Sequence, residues 1–258
     1  MIVLVDSHCH LDAAEFDADR DAVVARARAA GVTAQVVPAI ALSGFGKLRA
    51  LCAGRHADLH AAYGLHPMYL AEHRPPHLDA LREWLERERP VAVGECGLDF
   101  FVEGLDAEEQ RRYFVAQLQL AREFDLPAII HARRAVDEVI ATIRRVGGLR
   151  GVVHSFAGSA EQARQLWNLG FLVGLGGPVT YGRAHRLRAL VATMPLDYLL
   201  LETDAPDQPL ATHRGERNEP SYLGEVAATI AALRGIDAGE LARATGANAR
   251  RLFALGAP

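Results

Sequence analysis

Short apolar runs alternate with longer amphipathic stretches along the whole chain, and this alternation constrains the fold more than any single motif. The runs are Ile2–Asp6, Ala34–Ile40, Leu59–Gly64, Val91–Glu95, Ala128–His131, Gly151–His154, Phe171–Leu175 and Tyr198–Glu202. Most lack period-two alternation, as expected of parallel strands buried on both faces. Helical patterns fill the gaps: Asp17–Ala30, Ser43–His56, His77–Glu88, Asp106–Phe124, Val136–Val146, Ser159–Leu169, Arg183–Thr193, Pro220–Leu233 and Asp237–Leu255. Gly31 reads as the glycine after the first helix, and Ser159 with Gln162 as a capping box. Dividing 258 residues among eight units gives about 32 each, which suits a closed (β/α)8 barrel. An open doubly wound sheet would carry a glycine-rich phosphate turn after an early strand, and here that place reads Asp6-Ser7-His8-Cys9-His10. The expectation is an α/β chain forming one TIM-barrel domain over residues 1–258, with no linker or internal repeat.

Composition narrows the function. A net charge of −4 gives no global basic field for nucleic acid. Three cysteines, Cys9, Cys52 and Cys96, make no disulfide framework and point to a reducing compartment. The first apolar run is too short for a signal sequence, and no stretch approaches a membrane span. A cytoplasmic protein is expected, with no membrane association and no obligate protein partner. Lys47 is the sole lysine. Its place in a helical pattern excludes a Schiff-base aldolase, which needs a desolvated lysine in the barrel.

The polar residues cluster by position. His8 and His10 close the first strand, Gly64-Leu65-His66-Pro67 the third and Gly94-Glu95-Cys96-Gly97-Leu98-Asp99 the fourth. His131 with Arg133 closes the fifth, His154 the sixth and Asp204 the eighth. In a barrel, C-terminal strand ends converge on one mouth. An HxH pair, or one histidine at a strand end, is individually more often a polar or half-buried structural residue. Four imidazoles and two carboxylates at successive strand ends are a different matter. His8, His10, Glu95, His131, His154 and Asp204 are too many donors for one tetrahedral ion and suit two divalent cations sharing a bridge. The mix accepts Zn²⁺ or Mn²⁺, and its carboxylates accept Mg²⁺.

At these residues the chain resembles the TatD family of metal-dependent deoxyribonucleases. The pieces Asp6-Ser7-His8-Cys9-His10, Gly64-Leu65-His66-Pro67, Gly94-Glu95-Cys96-Gly97-Leu98-Asp99, Ile130-His131-Ala132-Arg133, His154-Ser155-Phe156-Ala157-Gly158, Glu202-Thr203-Asp204-Ala205-Pro206 and His213 to Pro220 follow family order across nearly the whole chain. The resemblance implies metal roles for the six residues above, a bridging Glu95, a place near substrate for His66, and hydrolysis of DNA phosphodiesters, often from the 3′ end. Ser155 stands where the family often has cysteine; following a ligand, it is expected to point away. Residues Ala205 to Leu210 lack the aromatic that nuclease members carry after the proline. That wording is similar to a branch mostly called hydrolases. Lys47, far from any strand end, offers no carboxylated-lysine bridge, which leaves Glu95 for that role.

The expected activity is therefore a metal-dependent phosphodiesterase, a 3′-5′ exonuclease on DNA using a two-metal-activated hydroxide. Asp204 takes the proton, and His66 and Arg133 hold the phosphate. Arg134, Arg214 and Arg217 are expected at the same mouth, and Gly174, Gly176 and Gly177 offer a phosphate turn. Phe100, Phe101, Tyr181 and Tyr222 fit core packing better than base stacking. Asn218 reads as a helix N-cap, and Cys9 and Cys96 as packing. The alternative keeps the dinuclear site and changes the bond to a carboxylic ester, lactone, amide or aminoacyl-ester.

Overall fold

The computed structural model describes residues 2–54 and 56–256; Met1 of the first run, Arg55 of the second helical pattern, Ala257 and Pro258 lie outside them. Eight parallel strands form one sheet in sequential order: β1 Leu4–Asp6, β2 Val32–Pro38, β3 Leu59–Tyr63, β4 Ala92–Asp99, β5 Ala128–Arg133, β6 Gly151–Val153, β7 Phe171–Leu175 and β8 Leu199–Leu201. The sheet closes nearly into a barrel. Past the last ladder, the Ser7 N–H donates to the Leu201 carbonyl (2.9 Å) and the Asp204 N–H to the His8 carbonyl (2.9 Å). Asp6 bolts this seam from within: it accepts the Thr203 N–H (3.0 Å), the Thr203 hydroxyl (2.6 Å) and the His8 N–H (3.2 Å).

Helices α1 Arg20–Ala29, α2 Phe45–Cys52, α3 Pro76–Glu88, α4 Ala107–Glu123, α5 Val136–Val146, α6 Ala160–Asn168, α7 His185–Thr193, α8 Leu223–Arg234 and α9 Ala238–Phe253 surround the strands. The Ser159–Gln162 capping box starts α6 as expected. Gly31, in the left-handed region at φ 89°, follows α1. Seven helices begin later than the sequence pattern indicates: short 3-10 turns precede α1, α2 and α8, the side chains of Asp106, Ser159 and Asp237 cap α4, α6 and α9, and α7 begins at His185.

Two apolar layers result. The barrel interior takes side chains from every strand: Val5, Ala34, Val36, Ala62, Ala92, Ile129, Val152, Leu172 and Leu200. Leu252 and Phe253 of α9 join this cluster, and Arg250 donates to Thr33 Oγ1 at the start of β2. The end of α9 therefore plugs the N-terminal mouth, and the C-terminal mouth stays open for polar groups. A larger outer layer packs helices on strands. Cys9 and Cys96 lie in it, fully buried, as expected from their position between inward-facing neighbours.

Helix α4 also braces the mouth. Gln110 and Gln117, seven apart and so on one face, are buried. Gln117 exchanges two hydrogen bonds with the Leu65 backbone (2.7 and 3.0 Å), and Gln110 exchanges two with that of Asp99 (2.7 and 2.9 Å). Strand β4 runs four residues beyond the expected end at Glu95. Residues Cys96 to Asp99 pair in register with Ile130 to Arg133. Gly97 permits this approach: a Cβ there, at φ 146°, would fall 2.0 Å from the His131 carbonyl.

Candidate metal centre

Glu95, inside β4 and almost fully buried, sits at the centre of an imidazole cage. Its Oε1 lies 2.7 Å from His154 Nε2, 2.9 Å from His66 Nε2 and 3.1 Å from His131 Nδ1. Its Oε2 lies 3.2 Å from His8 Nε2 and 3.4 Å from His10 Nε2. Asp204 Oδ1 approaches the second group, 3.4 Å from His8 and 3.7 Å from His10. The structure thus brings all six expected donors together, and His66 with them. His8 and His10 project together because they are two apart just beyond β1; Glu95 and His131 lie within β4 and β5, and His66, His154 and Asp204 follow β3, β6 and β8.

Tautomers follow from the outer partners. The His10 Nδ1 faces the Pro38 carbonyl (3.2 Å), which requires a proton there and leaves a lone pair on Nε2 when the ring is neutral. The His131 Nε2 faces Asp99 Oδ2 (2.9 Å), which turns its Nδ1 lone pair inward. His66 is the reverse. Its Nδ1 accepts the Met68 N–H (3.1 Å), so its proton sits on Nε2 and points at Glu95. Burial pushes the His66 pKa down to about 4, against the pull of Glu95, so the ring is a neutral donor.

The donor set fits divalent cations. His8 Nε2 and His10 Nε2 stand 3.2 Å apart, as do His131 Nδ1 and His154 Nε2. Two lone pairs at that distance need a shared cation or proton between them. Glu95 Oε2 and His8 Nδ1 are buried without a hydrogen bond of good geometry. Three sets of donor atoms, His8/His10/Glu95, His8/His154/Asp204 and His66/Glu95/His131, each fall within 4.8 Å of one another. Burial works to raise the Glu95 pKa, but His66, His154 and His8 outweigh it and hold the group well below the carboxylate range, ionised.

Outer carboxylates support the cage. Asp99 accepts the Phe101 and Val102 N–H groups (2.9 and 3.0 Å). Burial opposes ionisation, yet His131 and these amides bring its pKa to about 2. A carboxylate only accepts, which fixes His131 Nε2 as a donor. Asp99→Asn, which can present an amide donor instead, is expected to weaken metal affinity by roughly 10–100-fold. Calorimetric metal titration of both proteins checks this; equal affinities would refute it. Glu202 is also buried and raised to about 8, burial being the largest cause. It accepts the Ser155 N–H (2.5 Å), and its Oε1 lies 3.9 Å from His154 Nδ1. Asp99, Glu202 and Asp6 all fall inside the quoted motifs, but nothing in linear sequence gives them a partner.

The cage floors a cavity of about 1260 Å³ that opens at the C-terminal mouth. Met68 and Tyr69 form one wall, and Phe101, Arg133 and Arg134 another. The Arg133 guanidinium lies 3.7 Å from the Phe101 ring centroid and has no carboxylate partner among the described residues. Phe101 is 44% exposed, so core packing does not describe it, whereas Phe100 is half-buried.

Other expectations need correction. Arg217 is clamped by both nitrogens to Asp19 (2.8 Å each) and, like Arg214, does not line the cavity. Gly174 lies inside β7 and Gly177 just beyond it, and both serve close packing: a Cβ on Gly174 would fall 2.0 Å from Glu202 Oε2, and one on Gly177 2.0 Å from the Gln208 carbonyl. Tyr222 packs against the outer core as expected and stacks on His213 at 3.8 Å, while Tyr181 is partly buried and donates to the Pro209 carbonyl (2.9 Å). Asn218 caps no helix; its amide donates to the carbonyls of Thr203, Asp207 and Gln208. Ser155 does not point away. It lines the cavity and contacts Gln208.

A nearly closed barrel with this buried His/Glu/Asp cage defines a metal-dependent hydrolase. The family model described as TatD related DNase matches residues 5–254, and the chain belongs to that family. It is 42% identical over 252 residues to the Escherichia coli K12 protein named uncharacterized metal-dependent hydrolase YjjV, covering 96% of this chain and 97% of that one. It is 37% identical over 266 residues to the Erwinia tasmaniensis 3′-5′ ssDNA/RNA exonuclease TatD, covering 98% and 100%. The crystal structure of YjjV, a TatD homologue from E. coli K12, superposes with a TM-score of 0.94 at 41% identity over 98% of each chain. Among the described residues, no helix is long and apolar enough to cross a membrane.

Proposed function

We propose that this hydrolase is a two-metal phosphodiesterase that trims DNA from the 3′ end. The observation that carries the reading is the division of Glu95: His131 and His154 gather at one oxygen, His8 and His10 at the other. A carboxylate divided in this way suits a bridge between two ions, with Asp204 as a further ligand. When bound, such ions supply water ionised near neutral pH and polarise a phosphate oxygen.

This chain's own residues do the rest. Asp204 Oδ1 faces the cage and receives the proton of the attacking water. His66 presents Nε2–H to the anionic side of the site as a neutral donor, and on substrate binding that donor serves a phosphate oxygen. Arg133, unpaired and stacked on Phe101, supplies a planar fork for the same phosphate. Met68, Tyr69 and Phe101 are three of the five large apolar side chains exposed among the described residues, and all three rim this cavity. Such a rim suits a substrate carrying flat apolar groups beside its charge, as nucleotides do.

The test uses single-stranded oligonucleotides labelled at either end, with Mg²⁺ or Mn²⁺, beside a panel of neutral carboxylic esters. Stepwise loss of the 3′ label is expected, with little ester turnover. Arg133→Ala is expected to raise KM for the oligonucleotide by roughly 10–100-fold, the worth of a charge-assisted hydrogen bond, with kcat nearly unchanged. Ester hydrolysis with intact DNA would instead assign the site to a carboxylic ester, lactone, amide or aminoacyl-ester.

A further inference from the structure

We infer that Gln208 is a positioning residue, holding Asp204 by one carboxylate oxygen so that the other is aimed at the imidazole cage. The inference rests on the metal-hydrolase reading above and adds a residue to that same site. Asp204 uses its two oxygens differently. Oδ2 accepts a hydrogen bond from the Gln208 amide, while Oδ1 faces His8 and His10. A carboxylate only accepts, so the Gln208 NH₂ must face it and the amide orientation is fixed. Ser155 then braces the amide, its hydroxyl donating to Gln208 Oε1 (2.9 Å).

The backbone is shaped to deliver this chain of contacts. Ser155, Asp204 and Gln208 have φ of 46°, 58° and 52°, three of the seven non-glycine residues in the left-handed region among those described. Such conformations persist only where the surroundings enforce them. Here the Asn218 amide grips the Asp207 and Gln208 carbonyls at 2.8 and 3.2 Å. Gly177 makes room for the Gln208 carbonyl, where any Cβ would clash. A surface glutamine without a task would not need three left-handed residues and a buried asparagine to hold it against a carboxylate.

The test compares wild type, Gln208→Met, Ser155→Ala and Asp204→Asn as full-length proteins, first stripped with chelator and then titrated with Mn²⁺ by calorimetry. Gln208→Met keeps the volume and removes the amide. It is expected to hold its melting temperature within a few degrees, to weaken binding of one Mn²⁺ by roughly 10–100-fold, and to lose kcat by a similar factor with KM unchanged. Ser155→Ala shifts both quantities the same way by less and adds nothing to Gln208→Met. In the Asp204→Asn background, Gln208→Met changes nothing further. Gln208→Leu, which likewise removes the amide without adding charge, replaces the methionine variant should that one not fold. Wild-type Mn²⁺ affinity and kcat in Gln208→Met, or its full loss repeated on Asp204→Asn, would overturn the inference. Wild-type protein that binds Mn²⁺ without cleaving oligonucleotide sinks the phosphodiesterase reading, and the affinities still decide Gln208. Wild-type protein that binds no divalent ion overturns both.

Discussion

Glu95→Gln is expected to abolish metal-induced stabilisation and lower turnover by roughly 10³-fold or more while the fold survives. Both Glu95 oxygens point at imidazole nitrogens, and with Asp204 it supplies the negative charge that faces the cage. An amide of the same shape carries no charge and turns N–H donors toward one of the two places where lone pairs converge. Divalent ions would then face a single carboxylate. A ligand that binds only the folded state at 100 times its Kd adds about 2.7 kcal/mol of stability. Wild type is expected to show that rise in melting temperature with Mn²⁺, and Glu95→Gln none. A variant that keeps both the melting shift and the turnover would falsify the central role of Glu95.

Chelation should have an equally large effect, with a definite pH sign. Stripped protein is expected to lose all turnover and to regain it on adding divalent cation. Burial lowers the pKa values of His10 and His154, but the charge of Glu95 outweighs it and raises them to about 9 and about 10. Both imidazoles are therefore protonated at pH 7 in metal-free protein, and a cation must displace those protons to reach the lone pairs. Affinity consequently rises with pH up to these values, by up to about tenfold per pH unit for each proton displaced, or about 100-fold for two. Calorimetry in two buffers of different ionisation enthalpy counts the protons. Affinity independent of pH between 6 and 8, with no proton release, would refute this account.

Much of the architecture is legible in linear order because its causes are local. Apolar runs buried on both faces, glycine after α1 and the Ser159 capping box act within a few residues of themselves. Strand ends are local too, which is why His8, His10, His131, His154 and Asp204 could be placed at one mouth. The extension of β4 to Asp99 could not be read, because hydrogen bonds to β5 create it and they depend on Gly97 lying against the His131 carbonyl. Without that extension Asp99 has no visible partner. Arg217 fails the mouth assignment for the same kind of reason: Asp19, 198 positions away, captures it. Exposed Phe101 and the contacts of Ser155 with Gln208 depend on how loops fold back over the rim, which no periodicity encodes.

Linear order alone carried the eight strand-helix units and the residue types at the strand ends, since apolar runs and helix signals are short-range properties. How those groups are used was fixed when the barrel closed. Closure set His66 as a proton donor through Met68, turned His131 inward through Asp99, and divided Asp204 between Gln208 and the cage. Asp99 is 32 positions from His131, and although Met68 and Gln208 are near His66 and Asp204 in the chain, it is the folded loops of the closed barrel that turn them onto these groups.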